Sequence, residues 1–160
     1  MEIEEAFRIY QGSMEKAMLV FSRDEEAAQD GVSQAFAQAL ANKLMLEAMP
    51  EPAMKAWLYA AARNAVIDFK RREIRRSALT VETGDTEFAD SRSFDFAEKT
   101  ALDLLLEALP DALREIVERK YFEGMNATEI GEAMRIPAAT VRTRLRTALR
   151  HLRDNINGGY

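Results

Sequence analysis

The sequence predicts an all-α protein made of two small helical domains joined by a flexible linker, the second a four-helix domain containing a helix-turn-helix. Three observations carry that expectation. Apolar residues recur at spacings of three and four before residue 76 and after residue 100, no stretch alternates apolar and polar residues with a period of two, and residues 77–99 keep no sustained period. A chain of 160 residues can form one ordinary domain or two small ones. Its content of 48% apolar and 31% charged residues is that of a folded globular protein.

Ile3, Phe7, Tyr10, Met14, Ala17, Met18 and Phe21 form one stripe on a first helix. A second helix runs from about Asp24 to Leu44, with Ala28, Val32, Ala35, Phe36, Ala39 and Leu40 inward and with Asp24, Glu25 and Glu26 complementing the dipole in its first turn. Pro50 and Pro52 then impose a loop over 47–52, because proline lacks an amide donor and disfavours helix in the residue before it. From Ala53 to about Arg76 the pattern is a long helix, apolar and aromatic at Trp57, Leu58 and Tyr59, then basic. Burial should give way to an exposed charged end.

Residues 77–99, rich in Ser, Thr, Asp and Glu, read as the linker. Helix resumes at Thr100, with Asp103 in capping-box spacing and Leu102, Leu105, Leu106 and Leu109 ahead of a stop at Pro110. Asp111 to Phe122 carries Leu113, Ile116, Val117 and Tyr121 on one face. Gly124 ends that helix. Asn126, with Glu129 three residues on, caps a short one bearing Ile130, Ala133 and Met134, which ends near Arg135. The last helix enters through Pro137 and turns Val141, Leu145, Ala148, Leu149 and Leu152 inward. The domains are therefore expected at 1–76 and 100–160.

The net charge of −5 disfavours a nucleic-acid partner until its distribution is considered. Segment 63–76 holds six basic residues against Asp68 and Glu73, a balance of +4, and segment 135–153 holds six arginines and no acid, a balance of +6. Taking these from the total leaves −15 on the rest, an acidic body with two basic elements. The absence of cysteine removes thiolate nucleophiles and thiolate metal sites, and the single histidine, His151, reads as a surface residue. There is no glycine loop to cradle phosphate, and the carboxylates are scattered over helix faces. No enzyme activity, cofactor, metal or small-molecule substrate is expected. No apolar run approaches the roughly 20 residues that span a bilayer, and the acidic start is unlike a secretory signal, so a cytoplasmic protein without membrane insertion is expected.

A short helix, a tight turn and a longer helix with an outward row of Arg and Thr is helix-turn-helix geometry. With the apolar residues of the last helix turned inward, Thr140, Arg142, Thr143, Arg144 and Arg146 are left at its front and sides. Arginine there can fork onto guanine or clamp a phosphate, and threonine can touch a thymine methyl. In the long helix, aromatics, the pair Arg63-Asn64 and the basic run Lys70, Arg71 and Arg72 fall on consecutive turns. That combination suits an opened duplex, whose unpaired bases stack and whose phosphates attract cations. Trp57, Tyr59 and Phe69 fit ordinary core positions at least as well.

Trp57-Leu-Tyr, Ala62-Arg-Asn and Ile67-Asp-Phe-Lys-Arg-Arg72 resemble conserved region two of the extracytoplasmic-function (ECF) sigma factors. Leu109-Pro-Asp-Ala-Leu-Arg-Glu, Tyr121-Phe-Glu-Gly, Glu129-Ile-Gly-Glu-Ala-Met and Ile136-Pro-Ala-Ala-Thr-Val-Arg-Thr-Arg-Leu resemble region four of that family, in the same order and with its usual linker length. The resemblance implies that the chain binds core RNA polymerase and promoter DNA, region two reading the minus-ten element and region four the minus-thirty-five element. It places Arg63, Asn64 and Asp68 near the minus-ten bases, Arg142, Thr143, Arg144 and Arg146 on the recognition helix, and Asp30 and Gln34 on the stretch that grips the polymerase. The chain departs from the family pattern at Gly31, where leucine is usual, and before Trp57, where the loop carries two acids. An anti-sigma factor is a further partner left open. So are two other readings, a sigma-like decoy that occupies an anti-sigma factor and a helix-turn-helix regulator that acts without polymerase.

Overall fold

The computed structural model describes residues 1–77, 96–121 and 123–158. Among them are eight helices: α1 (Ile3–Ser22), α2 (Glu25–Ala41), α3 (Lys43–Ala48), α4 (Glu51–Ser77), α5 (Phe96–Glu107), α6 (Asp111–Tyr121), α7 (Ala127–Met134) and α8 (Ala138–Gly158). No strand occurs among the described residues, and the expected all-α fold is the one found. Most of the expected linker, residues 78–95, lies outside them.

The first half forms where its caps and prolines allow. α1 stops at Arg23, which takes a left-handed φ of 55° and donates its amide to the Leu19 carbonyl. Asp24 then caps α2 by accepting from the amide of Ala27 at 3.1 Å. The helix expected to continue to Leu44 breaks at Asn42, whose side chain donates to the Gln38 carbonyl at 3.0 Å and so competes with the helix ladder. A new helix, α3, takes up the end of the expected helix and the first two residues of the expected loop. Leu40, expected inward, lies in the last turn of α2 and is exposed, as is Leu44 of α3. Pro50 offers its carbonyl to the amide of Met54, and Pro52 sits in the first turn of α4, where its missing donor costs nothing.

Gly31 explains one departure from the family pattern. A Cβ on it would lie 2.5 Å from Val66 Cγ2 and 2.9 Å from the Ala62 carbonyl oxygen, so α2 and α4 meet nearly backbone to backbone. Trp57, Leu58 and Tyr59 are buried there as core, not presented for stacking.

In the second half α5 begins at Phe96, not at Thr100, which is an interior residue; Ala97, Glu98 and Lys99 are good helix formers that extend it upstream of the expected cap. The capping box is as expected: Asn126 Oδ1 accepts from Glu129 N at 2.8 Å, and Asn126 N donates back to Glu129 Oε1 at 3.1 Å. α7 ends at Arg135 (φ 59°), and α8 starts directly after Pro137. A Cβ on Gly131 would fall 2.5 Å from the Ile136 carbonyl oxygen, which is why this tight turn needs glycine. Ile116, Ile130 and Val141 make a small core for the helix-turn-helix.

The halves are not held apart. α5 lies along α4, the C-terminal part of α8 lies beside α3, and a single cluster of buried side chains runs from Ile3 and Met14 through Leu58 to Leu102, Leu106 and Leu152.

Candidate nucleic-acid interface

α8 turns by about 100° per residue. Arg142, Arg146, Arg150 and Arg153 therefore share one side, and Thr140 and Arg144 the other, with buried Val141, Ala148 and Leu152 between them on the inner face. Arg142, Thr143, Arg144 and Arg146 are exposed and Thr140 is half-buried. None of the ion pairs among the described residues uses Arg142, Arg144, Arg146 or Arg150. The Thr143 hydroxyl donates to the Ala139 carbonyl at 3.1 Å, so its proton is engaged within the helix while its methyl remains presentable. Towards its C-terminal end, α8 passes the α2–α3 turn, where Arg146, Arg150 and Arg153 with Leu40, Lys43 and Leu44 line a groove of about 460 Å³.

The second basic element is less open than its sequence suggests. Arg72, Arg75 and Arg76 are exposed, as expected of a charged helix end, whereas Lys70 and Arg71 are half-buried and paired. The Lys70 ammonium bonds to Asp24, the α2 cap. Burial works against its charge, but the bond and charge of Asp24, with Glu73 beside it, hold its pKa above the ordinary lysine value. The same Lys70 bond, helped by the Ala27 amide, holds the Asp24 carboxyl below its usual range. Arg71 bridges to Glu129 at 2.6 Å and donates to the Gly124 carbonyl at 3.2 Å. Arg63 lies with its guanidinium 5.3 Å from the centre of the Phe21 ring.

Asn64 is 8% exposed, and its amide nitrogen donates to the Lys120 carbonyl at 2.7 Å. Gln34, Asn64, Asp68, Arg71 and Arg72 converge on a cleft of about 360 Å³ between α2 and α4, with Lys120, Tyr121 and Asn126 of the second half closing one wall. Asp30 stands 3.8 Å from Arg72. Burial pushes the Tyr121 phenol up to about 12, and its ring lies 4.6 Å from that of Trp57.

Thus the structure gathers Gln34, Asn64, Asp68, Arg71 and Arg72 around one cleft and sets Arg142, Thr143, Arg144 and Arg146 on a different face. It draws Lys70 away to Asp24. Sequence reasoning did not assign Arg75, Lys120, Tyr121 or Glu129 to this region; Arg75 shares the spacing of the basic run, but the other three arrive from the second half with no local signal.

Residues 105–154 match the family model for sigma-70, region 4. Over nearly its whole length the chain is similar to the ECF RNA polymerase sigma factor SigM of Bacillus subtilis, at 25% identity over 99% of this chain and 98% of that protein. It is 31% identical to the ECF RNA polymerase sigma factor SigL of Mycobacterium tuberculosis, over 81% of this chain and 75% of the relative. With the ECF RNA polymerase sigma factor RpoE of Cereibacter sphaeroides it shares 26% identity over 91% and 79%.

Proposed function

The chain belongs to the ECF RNA polymerase sigma factors, a family of transcription initiation subunits, and from that premise we propose how its own residues divide the work. It binds core RNA polymerase and directs it to specific promoters. The polymerase performs the chemistry. Residues 1–76 act as region two and residues 100–160 as region four, joined by the segment between them.

The exposed arginine row of α8 carries the reading, because cations without carboxylate partners on the second helix of a helix-turn-helix are what a major groove attracts. Arg142 and Arg146 reach one side of the groove and Arg144 with Thr140 the other, while Thr143 offers its methyl to thymine. On α4, Asn64, Arg63 and Asp68 serve the minus-ten bases and exposed Arg72 neutralises the phosphates beside them, a role that Lys70 and Arg71 share only on leaving Asp24 and Glu129. Half-buried Asp30 and exposed Gln34, both on α2, contact the polymerase. A decoy for an anti-sigma factor would have no need of the α8 arginines. We place the activity in the cytoplasm, where polymerase and chromosome meet; no helix among the described residues is long and apolar enough to cross a membrane.

A net charge of −5 opposes the approach of DNA to the chain as a whole, and two weak sites reinforce each other only when a scaffold aligns them. The expected result in an anisotropy titration with a labelled promoter fragment is weak, salt-sensitive binding by the isolated chain and tight, sequence-dependent binding once core polymerase is added. Tight sequence-specific binding by the isolated chain would contradict this division of labour.

A further inference from the structure

The groove of about 460 Å³ between α8 and the α2–α3 turn is lined by four cations, Lys43, Arg146, Arg150 and Arg153, and by no carboxylate. On a chain of net charge −5 this is a concentrated positive site. Arg146, Arg150 and Arg153 fall within about 60° of arc on α8 and follow one another at about 6 and 4.5 Å along its axis. Neither Arg146 nor Arg150 enters an ion pair among the described residues. Arg153 has its chain neighbour Asp154 at 3.6 Å and Lys43 has Glu4 at 3.1 Å, and both pairs are about half exposed. Pairs of that kind hold their charges weakly and yield to a stronger anion.

The other wall has a different chemistry. Leu40 and Leu44, which line the same groove, are 53% and 74% exposed. Covering two such side chains is favourable, so an occupant that brings an apolar surface gains from it.

These two walls narrow the occupant. A single carboxylate cannot match a row of guanidinium groups, whereas a polyphosphate presents several negative oxygens in succession, each suited to the arginine fork. Phosphate alone would leave the leucines in water. A cavity of this volume is of the size that takes small ligands, and a duplex does not enter it. We propose that the groove binds a nucleoside polyphosphate, its phosphates held by Arg146, Arg150 and Arg153 and its sugar and base laid on Leu40 and Leu44. The site meets the promoter-reading assignment at Arg146 alone. An occupied groove withdraws that arginine from DNA, so nucleotide and promoter compete for α8.

Isothermal titration calorimetry of the whole chain with ATP or GTP, magnesium present, should show saturable one-to-one binding, and adenosine should show none. Tripolyphosphate should bind roughly ten-fold more weakly than ATP, because it leaves both leucines uncovered. Arg150→Ala and Arg153→Ala, at exposed positions, should each weaken ATP roughly ten-fold. Leu44→Ser, also exposed, should weaken ATP and leave tripolyphosphate unchanged. Arg76→Ala removes an exposed cation that does not line the groove and should change nothing. In anisotropy, ATP should lower the weak binding of labelled promoter DNA to the wild-type chain and lower it less for Arg150→Ala. The site is refuted if ATP shows no saturable binding, if tripolyphosphate matches ATP, or if Arg76→Ala weakens ATP as much as Arg150→Ala, which would mean unspecific charge attraction only. ATP that binds without displacing DNA would overturn the competition. Transcription by the chain with core polymerase is a separate readout, so a failed nucleotide site leaves the sigma-factor reading standing.

Discussion

Replacing Gly31 with the leucine usual in the family should weaken this protein, and the cost can be worked from the helix crossing. Even an alanine Cβ would lie 2.5 Å from Val66 Cγ2 and 2.9 Å from the Ala62 carbonyl oxygen. Val66 is β-branched and held by its own helix, and the carbonyl belongs to the backbone, so neither can move without separating α2 from α4. Such overpacking costs about 1–3 kcal/mol, against which alanine recovers about 1 kcal/mol of helix propensity. Gly31→Ala should therefore lose about 1 kcal/mol, and Gly31→Leu, with three more carbons at the same point, about 3 kcal/mol. At about 2–4 °C per kcal/mol for a chain of this size, the leucine variant should melt about 6–12 °C lower. Urea unfolding followed by circular dichroism gives the free-energy losses, and thermal unfolding gives the melting shift. Adding Val66→Ala should rescue part of the loss but not the clash with the backbone. Equal or greater stability of Gly31→Leu would show that α2 and α4 do not cross where the structure places them.

On α8, Arg144→Ala and Arg146→Ala lie on different sides of the helix and should be distinguishable: one that reads a base costs about 1–3 kcal/mol of discrimination between promoters, whereas one that touches phosphate weakens all sequences alike and lowers the salt slope by about one, as competition titrations of the polymerase complex at several salt concentrations would reveal. Asp24→Asn keeps a capping side chain but loses the charge that faces Lys70; since the folded Asp24 pKa is lowered, its stabilising contribution is complete above the ordinary carboxylate value near 3.8 and fades as pH falls through the lower folded value, so acid unfolding of the variant should lack that component. Spectrophotometric titration should find one phenol ionising at about 12, absent in Tyr121→Phe, and a Tyr121 that ionised near 10 would mean that it is not buried against Trp57.

What the sequence disclosed was local, and what it hid was long-range. The stripe of α1, apart from Phe7, which is 39% exposed, the Asn126–Glu129 box and the inward row of α8 follow from spacing alone, because each is decided within one or two turns. Leu40 misled for the same reason: its spacing continues the stripe of α2, yet it lies in the last turn of that helix and is exposed, while the Asn42 side chain ends the helix short of the expected Leu44. The arginine row of α8 could be identified because no ion pair among the described residues engages Arg142, Arg144, Arg146 or Arg150. Lys70 and Arg71 could not be separated from Arg72 in the basic run. Their partners, Asp24 and Glu129, lie 46 and 58 residues away, and only the packed structure brings those carboxylates to α4. Gly31 marked a departure from the family whose cause, the close approach of Val66, became visible only with the helices in place.

Transcription reconstituted from purified core polymerase and this protein, with the start sites of the transcripts mapped, tests the central claim most directly. The account predicts starts at a defined set of promoters that share minus-thirty-five and minus-ten sequences, lost when Arg142, Arg144 and Arg146 are together replaced by alanine. Transcripts no more specific than those of core polymerase alone, or an unchanged set of starts from the triple variant, would contradict it.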